Sequence, residues 1–382
     1  MSFTTISKIK IFFIVVIAFS FLLFSASYKY VFAQDSTPDN EFTKAEVTEI
    51  VDEGTRAIEG FDGQYANPYQ KVKVKIIEGA DLDKVFTIDY SGMSVTAFQK
   101  VKVGQLVVLN KVETADGTFQ YQIIDKLRTN ELAIIAFLFL FLVILLSRWK
   151  GVGSILGMLF SLAVILKFII PQILAGKDPL TISILGAIAI MITSIYLAHG
   201  FTKQTTIAVI ATALTLVITG FLSVAFVNLT NLSGISNEDT SSLLFGGPTA
   251  TINFKGLLLG GMIIGFLGVL DDITTGMAAT VFELKKVNPK LKFNELIKSS
   301  LNVGIEHVSS LVNTLVLAYA GASLPIFLYL VLNPQGYPVW FMVNSEFIAE
   351  EIVRTLVGSI GLLFAVPITT VIAVYYVSKK KE

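Results

Sequence analysis

The sequence predicts an all-α polytopic membrane bundle with a small extracytoplasmic β-barrel-like domain near its N-terminus. Three observations carry this. Hydrophobic residues make up 53% of the 382 positions and charged residues only 15%, too little charge for a soluble domain of that size. Runs of about 18 or more mostly apolar residues recur along the chain, long enough to cross a bilayer. One stretch near the N-terminus is instead charged and alternating, the period of a half-buried strand.

Residues 1–33 read as a signal peptide or as an uncleaved anchor helix. Lys8 and Lys10 precede an apolar run from Ile11 to Phe24. Val31 and Ala33 stand at −3 and −1 of a signal-peptidase cut before Gln34, whereas Lys29 interrupts the approach to it. On either reading residues 34–130 are exported and form a β-rich domain. Val72, Val74 and Ile76 face one way, and Lys71, Lys73 and Lys75 the other. Residues 85–89, 106–112 and 119–124 repeat the pattern, with turns at Gly79, Gly92, Gly104 and Asp116-Gly117 between them. Short strands in this number predict a small barrel or sandwich, with the OB type as one form. Such a domain is either a spacer or lid, or a binder of a ligand or protein partner that the sequence does not name.

Residues 131–382 read as the helical transmembrane domain. Seven core spans are expected, near 131–148, 152–171, 179–198, 204–227, 256–280, 301–331 and 352–377, in addition to the N-terminal helix. The sixth is too long for a straight crossing of about 20 residues, and Pro325 after Gly321 is expected to break it. Lys8, Lys10, Arg148, Lys150, Lys203, the cluster Lys285, Lys286, Lys290, Lys292 and Lys298, and the tail Lys379–Lys381 then fall on one side. The positive-inside rule makes that side the cytoplasm and places residues 34–130 outside.

The fifth core span carries the chemistry. Asp271 and Asp272 are adjacent carboxylates inside an apolar helix, where an ionised carboxylate costs roughly 2.5–3.5 kcal/mol on insertion scales. They are expected to be protonated, hydrogen-bonded or bound to a cation. Gly261, Gly265, Gly268, Asp272, Thr275, Ala279 and Glu283 recur at spacings of three and four, a stripe of small and polar residues. The glycines read as a close helix–helix contact. On the next span Asn302, Glu306, Ser309 (or Ser310) and Asn313 share a face. Counting inward from the 281–300 loop puts the two stripes at similar depth. Asp271, Asp272, Thr275, Asn302, Glu306 and Asn313 are therefore the expected proton- or cation-binding set. His307 and Glu283 read as proton relays or as solvated residues near the cytoplasmic helix ends. No lysine or arginine is placed by the sequence to neutralise the pair. Arg354 is expected to pair with Glu350.

Other classes are argued against. The 29 basic and 29 acidic side chains cancel, so no charge bias points to nucleic acid. The absence of cysteine excludes disulfides and thiolate metal sites, and two histidines, His199 and His307, are too few for a multi-histidine metal centre. No cofactor is implied. The HExxH, P-loop and GxSxG patterns are missing, and the two aspartates share one helix, so no enzyme is expected.

The block from Gly256 to Pro325, GLLLGGMIIGFLGVLDDITTGMAATVFELKK onward, resembles the core of the YibE/F family of bacterial multi-spanning membrane proteins. The order of an N-terminal span, a small exported β domain with a KVGQLV turn and a helical block is similar too. The resemblance implies a bacterial plasma membrane and supplies neither substrate nor reaction. GFLGVLDDITTGMAATVFELKK is also similar in pattern to the acidic helix of proton-driven RND and SecD/SecF-type proteins, an analogy that does not establish function. The chain is thus expected to be an ion-coupled transporter or permease whose substrate the sequence does not name. The alternative is a receptor or assembly scaffold whose exported domain binds a partner.

Overall fold

The computed structural model describes residues 41–57, 66–79, 81–90, 100–114, 117–236, 238–245, 252–333 and 335–379. The signal or anchor reading of residues 1–33, the Gly92 and Asp116 turn positions, and Lys380 and Lys381 lie outside the described residues. The chain divides near residue 142 into a sheet unit and a helical unit.

Five strands form one antiparallel sheet: β1 (Glu41–Ala57), β2 (Ala66–Ile76), β3 (Val85–Tyr90), β4 (Leu106–Glu113) and β5 (Phe119–Lys126), in the order β3-β2-β1-β4-β5. The alternation expected in β2 is present, with Val72, Val74 and Ile76 buried against Ala45, Val47, Val107 and Leu109. The central strand β1 was not expected. Its register slips between Val47 and Glu49 and again between Ile50 and Asp52. Each bulge interrupts the period of two by which a strand is recognised.

The sheet curls into a half-barrel, not a closed barrel. Rings of Phe86 on β3 and Tyr121 on β5, the two edge strands, approach to 4.7 Å between centroids. The Tyr121 hydroxyl donates to Asp81, and Lys111 stands 3.6 Å from the same carboxylate. Hydrogen bonds from Lys84 and then Tyr121 hold the Asp81 carboxyl down at about 2. Inside the curl, the buried Gln70 amide donates to Val101 O at 3.1 Å and accepts from Val101 N at 2.8 Å, as a neighbouring strand would. Gln70→Leu should orphan both backbone groups, at about 1–3 kcal/mol. Hydrogen exchange at the Val101 amide should accelerate by about tenfold or more; an unchanged rate would show that the side chain bears no part of that pairing.

The helical unit begins in α1 (Thr129–Val164), which continues through a π-helical turn (Ile165–Ile169) into α2 (Ile170–Leu174). Then follow α3 (Pro179–His199), α4 (Lys203–Leu229), α5 (Glu238–Phe245), α6 (Phe254–Val287), α7 (Phe293–Ala322), α8 (Leu324–Leu332), α9 (Val339–Val343) and α10 (Glu346–Lys379). Among the described residues six helical runs, not seven, are long and apolar enough to cross a membrane. The first two expected spans share one run of 46 residues. A straight helix of that length would be about 70 Å long, more than twice the hydrocarbon core. The run is not straight. Arg148 has φ 51° and ψ −131°, and a Cβ on Gly151 would stand 2.5 Å from Val143 O. Eight residues along a helix cover about 12 Å, so the chain turns back at Arg148. The expected break near Pro325 is also present: α7 stops at Ala322, and Pro325 falls in the first turn of α8.

At the centre of the unit α6 packs against α3, α4, α7 and α10. Leu259, Met262, Phe266, Leu270, Ile273 and Met277 bury one side of it. Close approach is made by other glycines than those expected. A Cβ on Gly260 would meet the Ser183 side chain, one on Gly358 would stand 2.8 Å from the Phe266 ring, and one on Gly304 2.6 Å from Val366. The hydroxyls of Thr212, Thr215, Thr219 and Ser223 on α4 are fully buried, each donating to the carbonyl four residues before it. Lys203 lies 5.6 Å over the Tyr376 ring, on which Phe282 stacks. This gathers the start of α4 and the ends of α6 and α10 at one lysine-rich end.

Candidate functional site

Asn253 caps α6 by accepting from Gly256 N at 3.0 Å, and no proline interrupts the helix to Val287. Both acidic residues therefore sit on rigid helix. Adjacent residues differ by about 100°, and the structure separates the pair accordingly. Asp271 is half-buried, and its Oδ1 is buried without a hydrogen-bond partner among the described residues. Asp272 points to an open face.

The helices α3 and α6 run parallel, with Gly260 against Ser183. Twelve residues further on, Ile195 is level with Asp272, and His199 lies one turn beyond. His199 is within electrostatic reach of both Asp272 and Lys150. Asp272 thus has a titratable neighbour, itself beside a lysine, and sequence reading missed both. Both belong to other helices, and only the parallel register of α3 and α6 and the turn at Arg148 bring them near.

Several expected contacts are not made among the described residues. Among the described residues a Cβ on Gly261, Gly265 or Gly268 would meet nothing within 4 Å, so these glycines form no close contact with a described helix. They share the open face of α6 with Asp272 because Met262, Phe266 and Ile273 take the packed side. The Thr275 hydroxyl donates to the backbone carbonyls of Asp271 at 2.9 Å and Asp272 at 3.2 Å, not to their carboxylates. On α7 the buried ridge is Leu296, Ser300, Gly304 and Val308. Asn302, Glu306 and Asn313 lie about 160–200° around the helix from Gly304, and all three are exposed, as is His307. The two polar stripes therefore do not face each other. Glu283 is exposed and pairs with Lys286 at 3.0 Å. Arg354 pairs with Glu351 at 2.6 Å rather than with Glu350. Among the described residues no group of three or more His, Asp or Glu is placed to hold a metal ion.

A second acidic cluster was not foreseen. Glu346 Oε1 accepts from Ser233 N, from the Ser233 hydroxyl at 2.7 Å and from Gly234 N at 2.9 Å. One turn on, the buried Glu350 accepts from Ser236 at 2.7 Å. The i, i+4 spacing of the two glutamates was legible; the loop they bind was not.

A family model described as YibE/F-like protein matches residues 135–379, which include α3 to α10 and both acidic clusters. The chain belongs to the YibE/F-like family. No curated protein and no solved structure matches it. The family match covers the helical unit and excludes the five strands of the sheet.

Chemically, Asp271 offers a buried carboxylate oxygen that nothing among the described residues satisfies. A proton or a cation can do so. Asp272, next to it in the chain, is within electrostatic reach of the His199 imidazole.

Proposed function

We propose that this YibE/F-like protein is an ion-coupled transporter or permease of the bacterial plasma membrane, with Asp271 as the coupling group. The observation that carries this reading is the partnerless buried oxygen of Asp271 on the most heavily packed helix of the unit. A carboxylate so placed is costly when charged and uncompensated, and loading with a proton or cation removes the cost. Asp272 and His199 then connect it to the lysine-rich end. In this reading the long first run is two crossings, turning at Arg148, which makes seven core spans. The gathering of Lys203, the end of α6 and Lys379 at one end supports a cytoplasmic C-terminus and an extracytoplasmic sheet unit.

Proteoliposomes test this. Proton uptake under an imposed gradient should be lost in Asp271→Asn, which keeps shape and loses charge, with folded yield unchanged. Asp272→Asn should slow uptake without abolishing it. Full flux in Asp271→Asn would end the proposal. A second reading, a receptor or assembly scaffold, is favoured by the exposed Asp272, Asn302, Glu306 and Asn313 on helices that cross the bilayer. Lipid cannot hydrogen-bond those groups, whereas a partner helix can. Loss of a co-purifying protein in Glu306→Leu, with no flux in the wild type, would select it.

A further inference from the structure

At the end of the helical unit opposite the lysine cluster, α7 gives way to two short apolar helices, α8 and α9, before α10 begins. Two cavities open there, of about 410 and 340 Å³. They share Leu330, Phe347 and Ile348, so they form one continuous slot. Its shallow part carries Gln335, Tyr337, Phe341 and Ser345. Its deep part runs down to Val316, Tyr319, Ala320, Thr355 and Leu356.

We propose that this slot binds one acyl chain of a phospholipid from the adjacent leaflet. Four features fit that occupant. From Ser345 to Leu356 the slot follows eleven residues of the α10 segment, about 16 Å at helical rise. That is about half of the ~30 Å hydrocarbon core, the depth one acyl chain occupies. Gln335 and Ser345 lie at the shallow end where a head group would sit; the deep part is lined mainly by apolar carbon, and its polar side chains are Tyr319, Ser323, Thr355 and Glu351, whose charge Arg354 neutralises at 2.6 Å. The slot is also continuous with lipid-facing surface. Leu317, Leu324, Phe327, Leu328 and Leu356 around it are exposed on membrane-crossing or adjoining apolar helices. At the rim Tyr337, Trp340 and Phe341 cluster within 5.0–6.0 Å ring to ring, the aromatic band that settles at a membrane interface. An acyl chain seated there would fill the space between α7 and α10, which α8 only partly closes. The site is independent of Asp271 and of the transport reading.

Native mass spectrometry of the full chain, purified in detergent and washed until annular lipid is gone, tests the site. The wild type should retain one phospholipid per chain, identified by mass as phospholipid rather than fatty acid or detergent. Ala320→Phe, which places a ring in the deep part, should retain none. Val217→Trp, on exposed α4 surface away from the slot, should retain it. A tryptophan at Phe347, in a chain with Trp149 and Trp340 changed to Phe, reports the same event optically. Vesicles of brominated phosphatidylcholine should quench it at least twofold more in the otherwise unaltered slot than with Ala320→Phe added. Should Ala320→Phe misfold, Leu330→Trp fills the slot from α8 instead. No retained phospholipid in the wild type, equal retention in a folded plugged variant, or equal quenching would overturn the proposal.

Discussion

Gly153→Leu should remove most folded protein from the membrane, whereas Gly265→Leu should leave it folded. At Gly153 a Cβ would overlap the Leu197 carbonyl oxygen and stand 3.1 Å from its carbon. That obstacle is backbone of α3, which cannot turn aside as a side chain can. Overpacking typically costs 1–3 kcal/mol, and more when a backbone must move. The returning arm of α1 touches α3 through this glycine and Gly157, whose Cβ would stand 3.2 Å from Ser194 Cα, so there is little slack to absorb a shift. At Gly265 a Cβ meets nothing within 4 Å. Gly265→Ala should even stabilise the chain by about 0.5–1 kcal/mol through helix propensity. Thermal unfolding in detergent, followed by gel filtration, measures both. Aggregation of Gly265→Leu alongside a normal Gly153→Leu would reverse the assignment of packed and open faces.

The other large effect is expected at Glu346. Its carboxylate gathers two backbone N–H groups and a hydroxyl from the loop after α4. That loop passes Asn231 at φ 52° and Gly234 at φ 83°. At Gly234 a Cβ would also lie 2.7 Å from the Phe254 carbonyl carbon, so the loop is pressed against the start of α6. Glu346→Ala leaves those donors without their acceptor, at about 1–3 kcal/mol. Residues 230–236 should then become cleavable by protease in the otherwise folded protein, and the thermal midpoint should fall. Glu346→Gln keeps an acceptor oxygen and should lie between. An equal cleavage rate in wild type and Glu346→Ala would show that the loop is held by other contacts.

The parts of the molecule legible in the sequence share a physical cause. Val72, Val74 and Ile76 announced β2 because a pleated strand turns successive side chains to opposite faces. The bulges of β1 shift that register, so its buried Ala45 and Val47 do not continue as an alternating run, and the central strand went unread. The apolar runs announced the helices because a bilayer leaves no water to satisfy an exposed backbone. The break near Pro325 was legible for the same local reason: proline closes off a preceding helix.

By itself the sequence determined that Asp271 and Asp272 lie on one apolar helix, point about 100° apart, and share that helix with a stripe of small residues. It also determined that Asn302, Glu306 and Asn313 form a single face of the next helix. Periodicity fixes which residues share a face; it does not say what that face meets. Only the tertiary structure decided that Phe266, Ile273 and Met277 take the packed side of α6 and leave Gly261, Gly265, Gly268 and Asp272 open. It decided likewise that α7 packs through Gly304, which turns its polar stripe away from α6. His199 reaches Asp272 because α3 runs parallel to α6, and Lys150 reaches His199 because the chain reverses at Arg148. Those are long-range packing choices. They depend on which ridges and glycines of separate helices fit together, and no local pattern in one helix encodes its partner.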